Sequence, residues 1–489
     1  MKTTKNHIEE LQNRLAANHT LQSDIEYILN YLAYCEYELI LYMVKKNIWS
    51  GIIPPPPDDF VKGEGTVELG LFSYWFHNVN LLDLSMFTPA QQEDIKRLIY
   101  VANLFLGKTQ FNSINYNALK TADLIYEDGS VLSMERYATY DQGWFIAFLN
   151  LLQTVINTAW YNNGTFPTVK PPVIPLVGKM PHMVKIAIIG DWGAGNPNAK
   201  AVMDLLIKQD VDYIIHVGDV YYGGTPLATD PNGTLYYDPG EEVNNLINLW
   251  PSGFNGKSFT LNSNHEMYSG ANGLFYNAYG VNGTSTPFSA HQGSSCFALT
   301  FGDWTLLGLD SAFESKVADA FMTGSLGDAN GTQVNWIKSL KLNPNKTIVL
   351  THHNGFADDT TSGSPLWAEL RNALGGDPFA WYWGHVHNGI VYKMPITIPS
   401  SSKVPGFTTR TYARCLGHAA LPYGVASNLV GKPIDYKADN VKPNSNELYN
   451  GFAVISLSTN SNGIMENISE GFYDVCGSPS QPRYYRRLL

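Results

Sequence analysis

The chain has 489 residues, of which 44% are hydrophobic, and its formal net charge is -11. Its length exceeds that of one ordinary domain, and the composition allows a sizeable buried core and argues against a disordered chain. An acidic chain without a cluster of basic residues cannot attract the phosphate backbone of a nucleic acid, so no nucleic-acid partner is predicted.

The amino-terminal residues, the apolar stretches and the cysteines indicate where in the cell the protein is located. The first residues, MKTTKNH, lead into a charged helix, so no secretory signal is expected. The longest apolar stretch, around residues 144–156, is shorter than the roughly 20 residues that a bilayer span needs. The four cysteines are scattered and form no CxxC pair, which indicates neither a disulfide framework nor a thiolate metal site. We therefore predict a cytoplasmic chain without a membrane span, and secretion as an effector or toxin stays open.

Residues 1–165 are predicted to form a mostly helical N-terminal domain. Helices are predicted at about 23–46, 88–107 and 134–160, from capping signals and apolar periodicity. The many aromatic side chains here are typical of core packing, and no chemical motif stands out. This domain is therefore expected to bind a protein partner, to cover an active site or to mediate oligomer formation.

A proline-rich segment, FPTVKPPVIPLVGKMP, follows at residues 166–181. Its prolines favour either a stiff linker or an extended strap packed on a neighbouring domain. It marks the predicted boundary between the N-terminal domain and a second domain at 182–489.

The second domain alternates short apolar runs with helical stretches. The predicted strands are 184–189, 213–217, 258–262, 347–350 and 379–383, and a helix at about 198–208 follows the first of them. Fully apolar strands that alternate with helices predict an α/β sheet covered on its faces. A polar motif follows each strand at its carboxyl end, where open α/β sheets place ligands.

Eight side chains at these strand ends have the chemistry of a metal site. They are Asp191, Asp219, Tyr222, Asn264, His265, His352, His385 and His387. Carboxylate, phenol, amide and imidazole groups without a thiolate suit two hard or borderline cations such as iron, manganese or zinc. Each residue alone has an ordinary role in a turn, a cap or a core. Five such motifs in order, each at a strand end, are hard to obtain from unrelated turns.

The motifs GDWG, GDVYY, SNHE, VLTH and GHVH resemble the five signature blocks of the calcineurin-like metallophosphoesterases, and most closely those of the purple acid phosphatase branch. Gly193 stands where the wider superfamily has a histidine, which purple acid phosphatases also lack. Tyr222 stands where that branch supplies a tyrosine instead. The resemblance covers about residues 184–475 and implies a ββ sandwich flanked by helices, in four αββα layers.

The resemblance also implies two metal ions that share one carboxylate. The implied ligands are Asp191, Tyr222 and His387 for an Fe3+ ion, and Asn264, His352 and His385 for a second ion, Fe2+, Zn2+ or Mn2+. Asp219 would bridge the two ions. One departure from the family pattern is Ser263, which stands where a glycine usually precedes the asparagine.

The reaction that this resemblance implies is hydrolysis of a small phosphate monoester by a hydroxide that the two ions hold. Asp219 and His265 would be the catalytic residues, and His265 would bind the phosphoryl group or protonate the leaving alkoxide. Asn264 and His353 would be further substrate contacts, and the alternative for His353 is a neighbour that His352 forces outward. Tyr221 is predicted to pack in the core.

Two other functions stay open at this point. The same metals would serve a phosphodiesterase acting on a cyclic nucleotide or a phospholipid head group, and loops at 223–257 and 312–332 would decide between the two. A function of another class is a scaffold or binding protein with a vestigial site, which the intact ligand set disfavours.

Overall fold

The structure is a computed structural model that describes residues 143–157 and 161–489, together with 124–125, 131–132 and Tyr137. Short gaps in that range are 167–168, 227, 230–234, 237–239, 282, 318–319, 402–403, 422–428, 430 and 442–446. The helices predicted at 23–46 and 88–107 lie outside the described residues, and so does most of the predicted N-terminal domain. The third predicted helix is confirmed in part, because a helix spans Trp144–Asn157.

The strands in chain order are β1 (Leu124–Ile125), β2 (Val131–Leu132), β3 (Val173–Pro175), β4 (Met183–Ile189), β5 (Tyr213–His216), β6 (Ala228–Thr229), β7 (Leu235–Tyr236), β8 (Ser258–Thr260), β9 (Phe297–Phe301), β10 (Trp304–Gly308), β11 (Thr347–Thr351), β12 (Ala380–Trp383), β13 (Gly389–Tyr392), β14 (Ile396–Ile398), β15 (Phe407–Thr409), β16 (Tyr412–Leu416), β17 (Ile434–Lys437), β18 (Gly451–Thr459), β19 (Met465–Asp474) and β20 (Tyr484–Arg487). The α-helices are α1 (Trp144–Asn157), α2 (Pro197–Ile207), α3 (Asn264–Tyr268), α4 (Thr332–Leu340) and α5 (Pro365–Leu374). Short helical turns of other pitch span Tyr161–Gly164, Glu242–Leu246, Ile247–Leu249, Ser252–Phe254, Leu274–Ala278, Ser289–His291 and Pro344–Lys346. Each of the five strands predicted in the second domain is confirmed.

Two large sheets form a sandwich. The first sheet has the order β20-β19-β18-β4-β5-β8, and the second has the order β17-β13-β16-β12-β11-β10-β9-β3. Strands β4, β5 and β8 run parallel, as do β10, β11, β12 and β16. Since parallel neighbours end at the same edge, the loops that follow these strands gather at one end of each sheet.

Strand β4 shows how the sequence determines which side chains of the first sheet face the core between the two sheets and which face outward. Val184, Ile186 and Ile188 belong to the core between the sheets, which also contains Leu306 and Ile348 of the second sheet. Each side chain is fully buried, which contributes roughly 1.5–3 kcal/mol for an aliphatic residue of this size. The residues between them point the other way, because side chains alternate along a strand.

Helices cover the outer faces of both sheets. On the first sheet, α2 packs against β18. On the second, Trp367 of α5 stacks on Trp381 of β12 with the ring centroids 5.2 Å apart. The mixed α/β fold with two sheets between helices, predicted from the resemblance, is thereby confirmed.

Helix α2 begins where the sequence places a capping residue. The Asn196 side chain accepts a hydrogen bond from the backbone N–H of Ala199, and Pro197 occupies the first turn. The helix predicted at 198–208 is confirmed, since the two sets of bounds differ by one residue at each end.

The proline-rich segment is partly built into the second sheet. Its residues Val173–Pro175 form β3, which pairs in parallel with β9 at the edge of that sheet. Leu176 follows and is buried in the core between the sheets. This part of the segment is therefore an extended strap on the domain, while the domain boundary itself stays a prediction.

Candidate metal centre

Strained backbone marks the point where the strand ends meet. Asp191 follows β4, and its N–H donates to the Gly218 carbonyl at 2.9 Å, directly before Asp219. Asp191, Asp219 and His385 have φ angles of 58°, 77° and 64°. Such left-handed conformations of non-glycine residues cost on the order of 1–3 kcal/mol each and cluster at functional sites. Three of them at one place therefore indicate a functional site.

The first group of candidate ligands surrounds the hydroxyl of Tyr221. This oxygen lies 2.8 Å from Asp219 Oδ2, 3.2 Å from Asp191 Oδ1 and 3.0 Å from His387 Nε2. His387 Nε2 is also 3.4 Å from Asp191 Oδ1. Two carboxylates, a phenol and an imidazole thus converge within the reach of one ion.

The second group surrounds the amide oxygen of Asn264. Asn264 Oδ1 lies 2.9 Å from His352 Nε2 and 3.2 Å from His385 Nδ1. His352 Nε2 is in turn 3.2 Å from Asp219 Oδ1. Asp219 therefore faces the first group with Oδ2 and the second group with Oδ1, as a bridging carboxylate would.

The hydrogen positions in the second group show whether a cation fits there. The Val217 carbonyl oxygen can only accept, so His352 Nδ1, 2.9 Å away, carries the hydrogen. Burial lowers the pKa of His352, so its Nε2 keeps a lone pair. Asn264 Nδ2 donates to Tyr268 Oη at 3.1 Å, which turns Oδ1 toward His352.

Lone pairs of His352, Asn264 and Asp219 therefore face one another with no hydrogen between them. Asp219 Oδ1 is buried and has no hydrogen-bond partner. A buried carboxylate oxygen without a partner is costly, whereas a cation at this point would be ligated by all three groups. The residues present thus fit a metal ion, and ligand atoms of Asp191, Asp219 and His352 all lie within 4.8 Å of one another.

The charges of the site favour a cation as well. Burial, followed by the charge of Asp219, raises the pKa of Asp191 well above its usual range. Burial lowers the pKa of His387 to about 4 and that of His385 well below its usual range, so both imidazoles stay neutral near pH 7. Bound cations would allow both carboxylates to ionise and would accept the imidazole lone pairs.

The phenol in this site belongs to Tyr221, which corrects the prediction that Tyr221 only packs. The Tyr222 ring instead stacks on Tyr137 at 4.9 Å between centroids and lies edge-on to Trp144 at 5.3 Å. A Cβ added to Gly143 would lie 2.5 Å from the Tyr222 hydroxyl, which shows where that group points. Motif spacing indicates Tyr222 as the ligand, but neighbouring side chains leave the backbone in different directions, and it is the Tyr221 hydroxyl that lies among the candidate ligands.

His265 lies beside the two ligand groups. Its Nδ1 is 2.6 Å from the Tyr222 carbonyl oxygen and therefore carries a hydrogen. Its Nε2 is 3.9 Å from Asp219 Oδ2. Ser263 caps α3 by accepting a hydrogen bond from the His265 N–H. Serine thus forms a regular helix start where the family usually has glycine.

His353 has a different position from the one predicted for a substrate contact. Its Nδ1 lies 2.9 Å from Ser311 Oγ, and its Nε2 lies 2.7 Å from the Phe321 carbonyl oxygen. The side chain is fully buried, and burial lowers its pKa to about 3. Although its ligand atoms are within 4.8 Å of those of His352 and His385, both ring nitrogens are already engaged. His353 is therefore a hydrogen-bonded core histidine, neither turned outward nor placed to contact a substrate.

Sequence reasoning missed several side chains that shape the site. Tyr268 lies one helical turn after Asn264, a spacing that brings two side chains onto one helix face and was a usable signal. Met322 places its sulfur 3.6 Å from both Asn264 Nδ2 and Tyr268 Oη. Met322 and Trp144 reach the site from distant parts of the chain, and no local pattern marks them.

Two sheets with carboxylates and histidines at their strand ends define a metallophosphoesterase fold. Residues 184–389 match the family model of the calcineurin-like phosphoesterases, and the chain is similar to that family over this segment. Among solved structures, one described as "GAP50 the anchor in the inner membrane complex of Plasmodium" is similar over 62% of this chain and 88% of that chain, with 14% sequence identity and a TM-score of 0.39. No curated protein sequence matches the chain.

No helix within the described part of the chain combines the length and the apolar character that crossing a membrane requires.

Proposed function

We propose that this chain binds two metal ions and hydrolyses phosphate monoesters, in the manner of purple acid phosphatases. The observation that carries the proposal is the division of Asp219 between two ligand groups, with Oδ2 facing Tyr221 and Oδ1 facing His352. The family match of residues 184–389 supports phosphoester hydrolysis as the reaction class. Beyond that reaction class, we propose that the substrate is a monoester and that the metal site is of the purple acid phosphatase type.

The proposed ligands are Asp191, Tyr221 and His387 for the first ion and Asn264, His352 and His385 for the second, with Asp219 shared. A phenolate with two carboxylates favours Fe3+ in the first position, and an amide with two imidazoles suits Fe2+, Zn2+ or Mn2+ in the second. When bound, such ions supply Lewis acidity and positive charge next to the phosphate. The Asn264 oxygen faces His352 and His385, so we assign Asn264 to the second ion and not to the substrate.

His265 is the group proposed to handle a proton. Because Nδ1 donates to the Tyr222 carbonyl, Nε2 is the atom that can carry a proton toward the site. It lies on the Asp219 side of the cluster, where the leaving alcohol would be protonated. Acid catalysis of this kind is typically worth about 10² to 10⁴ in rate.

The proposal is tested by metal analysis of the purified protein together with assays on a nitrophenyl phosphate monoester and the corresponding diester. Asp219→Asn keeps the size of the side chain but removes the bridging charge. We expect it to lose bound metal and to reduce monoester hydrolysis by at least about 100-fold. The matched control is Asp212→Asn, because Asp212 is also buried in this domain but accepts backbone hydrogen bonds from Lys179 and Lys185.

Three outcomes discriminate the candidate functions. Stoichiometric metal with faster monoester hydrolysis supports the proposal. Stoichiometric metal with faster diester hydrolysis replaces the substrate class by phosphodiesters. If the protein holds no metal and hydrolyses neither ester, the proposed enzymatic function is contradicted, and a binding protein with a vestigial site is favoured.

A further inference from the structure

The first turn of α1 packs directly on the candidate site, although it lies upstream of the family-matching segment. The Trp144 ring is 5.9 Å from the His265 ring and 6.0 Å from the Tyr221 ring, centroid to centroid. Only 8% of Trp144 is exposed. Tyr137 lies 6.2 Å from Trp144 and donates its hydroxyl hydrogen to the Ala194 carbonyl. We call Tyr137 and Trp144 the aromatic roof.

Helix α1 is attached to the loop after β5 by close packing and by hydrogen bonds. Asn150 Nδ2 lies 3.3 Å from the Gly223 carbonyl oxygen and 3.2 Å from that of Gly224. Ala147 approaches so closely that a Cβ added to Gly223 would lie 2.8 Å from the Ala147 Cα. The helix also packs against α3, which carries His265. The aromatic roof is therefore held in a defined position over the site.

Three aromatic rings limit the motion of the His265 imidazole. Its Nδ1 donates a hydrogen bond to the Tyr222 carbonyl, which holds one edge of the ring. The rings of Tyr221 and Tyr268 lie 4.6 Å and 5.1 Å from it, edge to face. Trp144 is the third ring, and it alone among these three comes from outside the family-matching segment.

We propose that Trp144 is a positioning residue for His265, so that the segment upstream of the phosphoesterase domain completes the active site. The inference rests on the proposed hydrolysis of phosphate monoesters. Without the indole, the imidazole would turn away and water would reach Nε2, so delivery of a proton to the leaving alcohol would weaken. The hydrogen bonds that join Tyr221 to Asp191, Asp219 and His387 do not include Trp144, and metal content measures whether the loss of the Trp144–Tyr221 ring contact disturbs them.

The experiment compares two substrates that differ in their need for a proton. An alkyl phosphate has a leaving group that must be protonated, whereas a nitrophenyl phosphate has one that leaves unaided. We expect Trp144→Ala to lower kcat on the alkyl ester about 10- to 100-fold, as a misplacement of roughly 1 Å does, with metal content retained. The nitrophenyl ester should change little, and Trp144→Phe should restore most of the lost rate.

Two further variants separate positioning from general damage to the helix. Leu151→Ala removes a buried side chain about two helical turns after Trp144 in α1, and should leave the ratio of the two rates unchanged. In a His265→Ala background, Trp144→Ala should cause no further loss of rate, since the effects of substituting residues that act as one unit do not add. Equal losses on both substrates, or additive effects of the two substitutions, would overturn the inference while leaving the proposed function intact.

A second readout needs neither metal nor turnover. In metal-free protein with labelled histidine, the His265 ring resonances, assigned by their loss in His265→Ala, should broaden in Trp144→Ala but not in Leu151→Ala. Line width is the readout, because loss of the indole ring current alone changes the chemical shift, and unchanged line widths in Trp144→Ala would refute the positioning role. If the wild-type protein hydrolyses no ester, the proposed function fails, and this measurement still reports whether Trp144 restrains His265.

Discussion

Asp219 is the residue on which the candidate site depends, because its two oxygens face different ligand groups. It is 1% exposed, and its Oδ1 has no hydrogen-bond donor. The neighbouring Asp191 is fully buried too. Two negative charges side by side in the protein interior repel each other, and the pKa of Asp191 is raised for that reason as well as by burial. Bound cations would resolve both conflicts, since they would neutralise the carboxylates and be ligated by the unpartnered oxygen.

The two adjacent tyrosines allow a residue-level test of the first metal position. Bound to Fe3+, a phenolate gives a visible charge-transfer band, so the iron-loaded protein should be coloured. We expect Tyr221→Phe to bleach this colour, because the Tyr221 hydroxyl lies among Asp191, Asp219 and His387. Tyr222→Phe is the matched control and should keep it. Visible absorption at equal iron content makes the comparison, and bleaching by Tyr222→Phe instead would return the ligand role to the residue that motif spacing indicates.

At the scale of elements, the loop after β5 is held by the carboxylate of Glu241, the residue directly before the helical turn Glu242–Leu246. Glu241 Oε2 accepts the backbone N–H groups of Gly223 and Gly224, each at 2.8 Å. Burial raises the pKa of Glu241 to about 7, although these hydrogen bonds oppose the shift. The loop that carries the site residues is therefore fastened by a group that is partly protonated near neutral pH.

This pKa predicts how stability depends on pH. Between the unfolded value near 4.5 and the folded value of about 7, the folded chain binds more protons at Glu241 than the unfolded chain does. Its contribution to the free energy of unfolding therefore falls as the pH rises through that window. Glu241→Gln keeps an accepting oxygen but does not titrate, so metal-free Glu241→Gln should gain stability relative to the wild type from pH 5 to pH 7.5.

Urea unfolding of the metal-free proteins at several pH values measures that difference. Glu466→Gln, at an exposed position, is the control and should leave the pH dependence as in the wild type. A stability difference between Glu241→Gln and wild type that is constant across the window would show that Glu241 is ionised throughout.

At the scale of the whole molecule, a buried ion pair joins the two sheets. Arg414 of β16 donates from Nε to Glu470 of β19 at 2.8 Å, and neither side chain is accessible to solvent. The Tyr382 hydroxyl of β12 donates to the same carboxylate at 2.7 Å. The surrounding core is apolar, so these charges are costly unless each has its partner.

Removing one partner should therefore destabilise the fold more than removing both. We expect Arg414→Met to lower the free energy of unfolding by about 3–5 kcal/mol, because it leaves Glu470 buried without its cation. The double variant Arg414→Met, Glu470→Met should recover much of that loss. Urea unfolding measures both, and a single variant as stable as the wild type would mean that the pair contributes nothing to sandwich stability.

Local chemistry in the sequence determined most of the second domain and the kinds of ligand in its site. The apolar runs ending before Asp191, Asp219 and His352 identify strands, because burial on both faces requires continuous apolar sequence. Asn196 and Pro197 mark the start of α2 in the same way, since a capping side chain acts within one turn. The strand-end motifs by themselves therefore predict one metal centre.

Only the tertiary structure decided which atoms meet. The spacing of GDVYY places both tyrosines near the site, but the packing of Tyr222 on Tyr137 leaves the Tyr221 hydroxyl to face Asp219. His353 is hydrogen-bonded within the core because Phe321, 32 residues earlier in the chain, places its carbonyl oxygen next to the imidazole Nε2. Trp144 reaches His265 from upstream of the family-matching segment. Contacts of this kind depend on how distant segments pack, and a short stretch of sequence carries no record of its distant neighbours.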